Sequence, residues 1–220
     1  QAMVKIKKQS LVDQIYSRLR EEILMLRFPL GSRINVNEIQ EDLGVSSTPL
    51  REALNRLQQE GLVTIQPNIG ASMISLDAHD VEEIQEMAYI LQSAAVRLSM
   101  ERGDRELMAA RIEEQVKNYA SSHNAKESVK AVYNLIGVFY HTCGNQRLDN
   151  SMIALQGQVL LLRFIYAECP GCRENQDLLE QILHGVRSGE TEEILDALLE
   201  YQERSKPAIL EWLSAINSKK

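Results

Sequence analysis

Apolar residues near the N-terminus recur at steps of three and four, which is the spacing of one face of an α-helix. They are Leu11, Ile15, Leu19, Ile23 and Leu26. Pro29 and Gly31 then interrupt the pattern. A shorter run with Ile39 and Leu43 inward predicts a second helix, which Gly44 closes. The chain therefore opens with two helices and a glycine turn.

A third helix and a hairpin follow this turn. Thr48 is a natural N-cap, and Pro49 fits the first helical position, where a missing N–H costs nothing. The buried stripe of this helix is predicted to be Leu50, Ala53, Leu54 and Leu57. Two β-prone runs, 62–65 and 71–76, are joined by turn residues and predict a hairpin. Three helices and a hairpin form a winged helix-turn-helix over residues 1–76.

From residue 77 onward the chain shows helical periodicity without strand alternation. Glycine, asparagine and proline interrupt the periodicity where helix ends are expected. The predicted helices are 78–102, 105–122, 126–143, 147–168, 175–188 and 191–217. On the first of them, the inward stripe is expected to be Ile84, Met87, Leu91, Ala94 and Leu98. The predicted fold is mainly α, with an all-α bundle of about six helices over residues 77–220.

Length and composition support two globular domains. The chain has 220 residues, of which 44% are hydrophobic and 25% are charged. It exceeds one domain of about 100–150 residues, and its composition matches globular averages. No apolar run reaches the roughly 18–20 residues that span a bilayer, and the first residues lack an apolar signal region. Three cysteines do not indicate a disulfide framework. We expect a cytoplasmic protein with no membrane partner.

Charge is divided unevenly between the two segments. The total is −7, but the residues through Leu76 hold nine Lys/Arg and eight Asp/Glu, so the acidic excess falls in the bundle. Nucleic acid phosphates would therefore have to meet the first segment. There, the hydroxyls of Ser47 and Thr48 and the N–H groups of the third helix suit phosphate oxygens, and Arg51 can bind guanine or phosphate. The alternative is a small helical domain whose polar face contacts only water.

The stretch GVSSTPLREALNRLQQEGLVTIQPNIGA, residues 44–71, closely resembles the winged-helix signature of bacterial GntR-family transcriptional regulators. IYSRLREEILMLRFPLGSRI, residues 15–34, is similar to the family's first helix and its Pro-x-Gly approach. The all-helical remainder resembles the ligand-binding domain of the FadR-like branch, often called FCD. This resemblance implies DNA contacts at the start of the third helix and in the wing. The candidate DNA contacts are Arg33, Asn37, Ser46, Ser47, Thr48, Arg51, Arg56, Asn68 and Gly70.

The combined pattern favours a ligand-responsive, sequence-specific transcription regulator. One winged helix reads few base pairs, so we expect a homodimer that binds double-stranded DNA at a pseudo-palindromic operator, acting as a repressor. An unknown small-molecule effector is expected in the bundle. The bundle could instead serve only dimerisation. No phosphate loop, nucleophile elbow or HExxH motif occurs, so we expect no enzyme.

Cysteine chemistry is a further alternative. The spacing of Cys169 and Cys172 allows a dithiol, and with it a thiol redox-sensing regulator or a dithiol enzyme. No βαβ pattern surrounds this motif, as a thioredoxin-like protein would require. Cys143 ends one predicted helix and Cys169 ends the next. A helix of about 20 residues, about 30 Å long, separates these ends and argues against a shared zinc ion.

The resemblance also bears on cofactors. In many members of the FadR-like branch, which this chain resembles, an Asp-x-x-x-His pair and two further histidines bind a divalent metal. The corresponding positions here are Val132, Ile136, Leu179 and Tyr201. Apolar side chains and a tyrosine do not provide such ligands, so we expect no metal and no cofactor. The same four residues are the predicted effector pocket, which should favour a less charged or more apolar ligand.

Overall fold

The computed structural model describes residues 10–169 and 175–217. The chain divides into two compact units, of which the first ends at Ser75 and the second begins at Leu76. The boundary predicted from the sequence, after Leu76, lies one residue further along the chain. Among the described residues, no helix is both long enough and apolar enough to cross a membrane.

Helices α1 (Leu11–Leu24), α2 (Val36–Leu43) and α3 (Ser47–Gln59) form the helical part of the first unit. Ser10 begins α1 with a reciprocal capping box, in which its hydroxyl accepts the Asp13 N–H and the Asp13 carboxylate accepts the Ser10 N–H. α1 packs against α3. This contact confirms the centre of the predicted α1 stripe and the stripe of α3. The core residues are Ile15, Leu19, Ile23, Leu50, Ala53, Leu54 and Leu57.

The start of α3 differs from the sequence prediction. Ser46, not Thr48, is the N-cap, with φ −80° and ψ 167°, and Pro49 lies at the third helical position. The N–H groups of a first helical turn have no acceptor within the helix, so proline loses no hydrogen bond anywhere in that turn. Thr48 as the N-cap was therefore wrong. Ser46 makes no side-chain capping hydrogen bond, which leaves the backbone donors of the first turn to other acceptors.

A two-stranded antiparallel wing follows α3. Its strands are β1 (Val63–Gln66) and β2 (Gly70–Met73), and Gln66 pairs with Gly70 at the turn. The predicted hairpin is confirmed, although the bounds of both strands differ from the predicted ones. Asn68 has φ 62° and Gly70 has φ 107°, a left-handed region that asparagine and glycine tolerate in tight turns. The first unit is thus a winged helix-turn-helix.

Six helices make up the described part of the second unit, which confirms the predicted all-α bundle. Their bounds lie within two residues of the predicted ones. α4 contacts α6, α7 and α9, while α5 contacts α6 and α8. The helices are α4 (Ala78–Arg102), α5 (Arg105–Ala120), α6 (Ala125–Thr142), α7 (Gln146–Glu168), α8 (Gln176–Ser188) and α9 (Thr191–Asn217).

The buried face of α4 includes only Ile84 from the predicted stripe. Met87 is 46% exposed, and Leu91, Ala94 and Leu98 are half-buried. Small side chains let neighbouring helices approach closely, and the Ser99 hydroxyl donates to the Phe139 carbonyl at 2.6 Å. α4 therefore buries a face that includes the small residues Ala88, Ala95 and Ser99, and it leaves part of its apolar surface outside. The buried residues are Val81, Ile84, Ala88, Gln92, Ala95, Val96 and Ser99.

Candidate functional site

Most of the predicted helix contacts lie together at the start of α3. Ser46 and Thr48 are exposed, Ser47 is half-buried, and Arg51 is exposed one turn into the helix. Asn37 is exposed on α2, the preceding helix. The N-terminus of a helix carries partial positive charge and unpaired N–H groups, which favour an anion. The residues at the start of α3 therefore form a polar helix end whose N–H groups and Arg51 suit phosphate and base edges.

Every other arginine in the described part of the first unit has a partner within that unit, and Arg51 has none there. The Arg33 guanidinium donates from Nη2 to the Ile69 carbonyl at 2.9 Å. Four more arginines form ion pairs, with distances of 2.8–3.0 Å between the guanidinium nitrogen and the carboxylate oxygen. The pairs are Arg18–Glu22, Arg20–Glu60, Arg27–Glu22 and Arg56–Asp13. Between residues 10 and 75, Arg51 is the arginine whose guanidinium has neither an ion pair nor a hydrogen bond. Its charge is available to an external anion.

Arg56, predicted as a DNA contact, is engaged within the first unit. Its Nη1 lies 2.8 Å from Asp13 Oδ1, and its guanidinium carbon lies 3.9 Å from the centre of the Tyr16 ring. Hydrogen bonding from the Ser10 hydroxyl, and then from Arg56, lowers the pKa of the Asp13 carboxyl. A phosphate would have to compete with Asp13 for this guanidinium. The geometry favours a structural role in which Arg56 joins α3 to α1.

Replacing Arg56 by methionine should lower the stability of the first unit. The guanidinium contact with the Tyr16 ring is worth about 0.5–1 kcal/mol, and methionine keeps an apolar stem without the charge. Thermal unfolding of the full chain measures the loss, with Arg18→Met, which removes an exposed arginine of α1, as the control. A salt slope of DNA binding that falls by about one, with unchanged stability, would instead support the phosphate contact predicted from the sequence.

The wing tip is supported by Arg33. Besides its hydrogen bond to the Ile69 carbonyl, Arg33 pairs with Ser72 along the other edge of β2. Asn68 and Gly70 are exposed at the tip. Arg33 is itself exposed, so its remaining N–H groups can still meet a phosphate. The wing thus presents the two predicted tip residues on a turn that Arg33 holds in place.

A cavity of about 400 Å³ lies within the second unit. Its lining includes three buried polar side chains from three helices: Gln92 of α4, Tyr140 of α6 and Arg163 of α7. Burial lowers the pKa of the Arg163 guanidinium and raises the pKa of the Tyr140 hydroxyl. The apolar part of the lining includes Ile136, Met152, Val159 and Leu160. Such a mixed lining is typical of a small-molecule site.

The four residues predicted as the effector pocket do not line one cavity. Ile136 borders the cavity of about 400 Å³, and Tyr201 borders a smaller one of about 40 Å³, which Arg163 also lines. Val132 and Leu179, which are 7% and 2% exposed, line neither of these two cavities. The sequence analysis missed Arg163, although a charge within the apolar run VLLLRFIY, residues 159–166, was a usable signal.

Metal and thiol chemistry were the other predicted possibilities. Within residues 10–169 and 175–217, no three His, Cys, Asp or Glu side chains lie close enough to share a metal ion. Cys143 is a buried free thiol, and Cys169 is half-buried. Cys172, the other half of the predicted dithiol, lies outside the described residues. The expected absence of a metal and the redox alternative therefore stay predictions.

Comparison with protein families matches both units of the chain. The profile of bacterial regulatory proteins of the gntR family matches residues 11–72. The profile of the FCD domain matches residues 83–204, which is more than half of the chain. The chain belongs to the GntR family, in the branch with an FCD domain. The GntR resemblance identified from the winged-helix motif is thereby confirmed, and this family consists of transcriptional regulators rather than enzymes.

Curated relatives of this GntR protein are regulators as well. YdhC of Bacillus subtilis, an uncharacterised HTH-type transcriptional regulator, is 31% identical over 119 residues, which are 54% of this chain and 53% of YdhC. The Nta operon transcriptional regulator of Aminobacter aminovorans is 42% identical over 85 residues, which are 38% of this chain and 40% of that regulator. The chain spans about half the length of the curated relatives it matches.

Solved structures share the fold at low sequence identity. Escherichia coli McbR/YncC superposes with a TM-score of 0.76 at 20% identity, over 95% of this chain and 99% of McbR. A GntR transcriptional regulator from Rhodococcus sp. RHA1 superposes with a TM-score of 0.72 at 20% identity, over 91% of this chain and 97% of that protein. These likenesses show that the winged helix followed by a helical bundle is a shared GntR architecture.

Proposed function

We propose that this GntR protein is a ligand-responsive transcription regulator that binds a specific DNA operator as a homodimer. The observation that carries the proposal is the start of α3. Arg51 there is exposed and makes no ion pair or hydrogen bond with residues 10–75, beside a helix N-terminus whose backbone donors lack a side-chain cap. In a winged helix, α3 lies in the major groove, where an arginine can pair with guanine.

The wing supplies a second contact in this proposal. Asn68 and Gly70 lie at its exposed tip, which can reach the DNA backbone or minor groove beside the site that α3 reads. Ser46, Ser47, Thr48 and Asn37 contribute phosphate contacts that fix the register of α3 without reading sequence. Base recognition is thus assigned to Arg51 and positioning to the polar residues around it.

A homodimer is supported by the outward surface of α4. Met87 and Ile90, 46% and 52% exposed, lie with the half-buried Leu91 and Ala94 on one side of the helix. Apolar strips of this kind are typical of subunit interfaces. A twofold dimer places two copies of α3 on two half-sites about one DNA turn apart, so the operator is a pseudo-palindrome.

The ligand response is assigned to the bundle cavity, and the regulator is proposed to be a repressor. A cavity of about 400 Å³ is large enough for a small metabolite. The ligand can change operator affinity only through different affinities for the DNA-binding and released states of the dimer. In a repressor, the ligand binds the released state more tightly and so frees the operator.

DNA selection tests the proposal directly. Purified protein is incubated with fragmented genomic DNA, the enriched fragments are sequenced, and binding to one of them is measured by fluorescence anisotropy at several salt concentrations. We expect a palindromic motif, and an affinity well above that for a scrambled sequence and steeply dependent on salt. Equal affinity for the enriched and the scrambled fragments at every salt concentration would contradict a sequence-specific regulator.

A further inference from the structure

Three polar side chains that line the bundle cavity have no partner in the part of the chain that the structure describes. Gln92, Tyr140 and Arg163 are 5%, 8% and 8% exposed. The Tyr140 hydroxyl is buried without a hydrogen bond, and neither the Gln92 amide nor the Arg163 guanidinium makes one within residues 10–169 and 175–217. Buried polar groups in folded proteins are nearly always hydrogen-bonded, and the Tyr140 hydroxyl is an exception. Gln92 and Arg163 line the same cavity with polar groups that have no hydrogen bond to the described residues. Together the three side chains point to an occupant that bonds to them.

Of the three side chains, Arg163 costs the most free energy to bury without a partner. Arginine stays protonated at any pH that proteins tolerate, so its charge cannot be removed by losing a proton. A buried charge is costly unless an opposite charge and hydrogen bonds compensate it. Asp149 and Glu114 line the same cavity, but neither carboxylate lies within the ion-pair distance of 4.0 Å from Arg163. The described residues therefore leave the guanidinium without a counter-ion.

Other polar residues of the lining behave differently. Tyr133 and Gln156 are hydrogen-bonded to each other, and the Asn134 amide donates to Gln115 Oε1 at 3.3 Å. These pairs are satisfied within the protein. Arg111, Glu114 and His141 of the lining make no such pair with the described residues, but they are exposed to water. What distinguishes Gln92, Tyr140 and Arg163 is that they are both buried and unpaired in this part of the chain.

We propose that this cavity binds a small organic anion, whose carboxylate or phosphate group accepts hydrogen bonds from Arg163 and Tyr140 without a bridging metal ion. The Gln92 amide supplies a further donor, and the apolar remainder of the ligand packs on Ile136 and Met152. Guanidinium groups bind such oxyanions through two parallel hydrogen bonds. The proposal rests on the ligand response proposed above and names the chemical class of that ligand, which is an anion and not the less charged ligand expected from the sequence.

Anionic probes and their neutral analogues test the charge requirement. Benzoate, succinate and inorganic phosphate are the anionic probes, and benzamide and succinamide are the neutral analogues of the first two. We expect at least one anionic probe at millimolar concentration to raise the melting temperature of the full chain, with benzamide and succinamide inactive and excess EDTA without effect. No stabilisation by any of the anionic probes, equal stabilisation by benzamide or succinamide, or loss of the effect in EDTA would overturn the proposal.

Variants then locate the site. Arg163→Met should weaken binding of the active probe by roughly 10- to 100-fold, and without the probe it should melt no lower than the wild type because it removes an uncompensated buried charge. Tyr140→Phe should weaken the same probe by roughly 3- to 10-fold. Arg147→Met, at an exposed arginine of α7 that does not line this cavity, is the matched control and should leave binding unchanged. A destabilised Arg163→Met chain, or binding that Arg147→Met weakens as much as Arg163→Met does, would overturn the proposal.

Operator binding separates this proposal from the proposed function. An active probe that leaves operator affinity unchanged would contradict the ligand response while leaving the anion site intact. Conversely, an operator complex with no probe binding would contradict the anion site while leaving the DNA-binding function intact. The two failures therefore give different results in the same pair of assays.

Discussion

Replacing Arg51 by alanine should weaken operator binding by about 1–3 kcal/mol, which is roughly 5- to 150-fold. The guanidinium lies one turn into α3, is exposed, and has no ion pair or hydrogen bond within residues 10–75. Its removal therefore costs the protein no internal contact, so stability should be unchanged and the loss should appear in DNA affinity. Fluorescence anisotropy on the selected operator measures it.

Arg27→Ala is the matched control for this experiment. It removes the same charge from the same unit, but from an arginine that pairs with Glu22 at 3.0 Å. A general electrostatic effect would weaken both variants alike and would act on scrambled DNA too. Base reading predicts that Arg51→Ala loses the difference in affinity between operator and scrambled DNA. Unchanged operator affinity in Arg51→Ala would refute α3 as the reading helix.

Replacing Ile90 by glutamate should convert the proposed dimer to a monomer and weaken operator binding by about 100-fold or more. The new charge lies at the centre of the exposed apolar strip of α4, where Ile90 is 52% exposed, and in a dimer it would be buried without a partner. A monomer engages one half-site and loses the gain from binding two linked sites. Light scattering gives the mass, and anisotropy gives the affinity.

Leu107→Glu provides the control for a nonspecific effect of added charge. Leu107 lies on α5 of the same unit and is 46% exposed, which is close to the exposure of Ile90. We expect this variant to remain dimeric, to melt like the wild type, and to bind the operator with unchanged affinity. If both glutamate variants are dimeric, the interface lies elsewhere on the chain. If both are monomeric, the added charge disrupts the dimer wherever it is placed, and the result does not locate the interface on α4.

Local residue chemistry predicted the helices of the bundle closely. α4 (Ala78–Arg102) and α9 (Thr191–Asn217) have the predicted bounds. Asp77 caps the start of α4. Gly189 ends α8, the helix before α9, in a left-handed conformation. Caps and glycine stops act within a few residues, so one sequence contains their whole effect. The start of α3 was misplaced because Pro49 is acceptable at more than one position of a first turn.

The sequence by itself thus determined the winged helix, the bundle, and the polar start of α3 with Arg51. Only the tertiary structure decided which side of α4 is buried, that Arg56 meets Asp13 and Tyr16, and that Gln92, Tyr140 and Arg163 surround one cavity. Helical periodicity gives the spacing of residues on a helix but not which neighbour each face contacts. Contacts between residues far apart in sequence, such as Arg56 with Asp13, and cavities between helices depend on how the helices pack against one another. That packing decides which charges are neutralised inside the protein and which remain for DNA or a ligand.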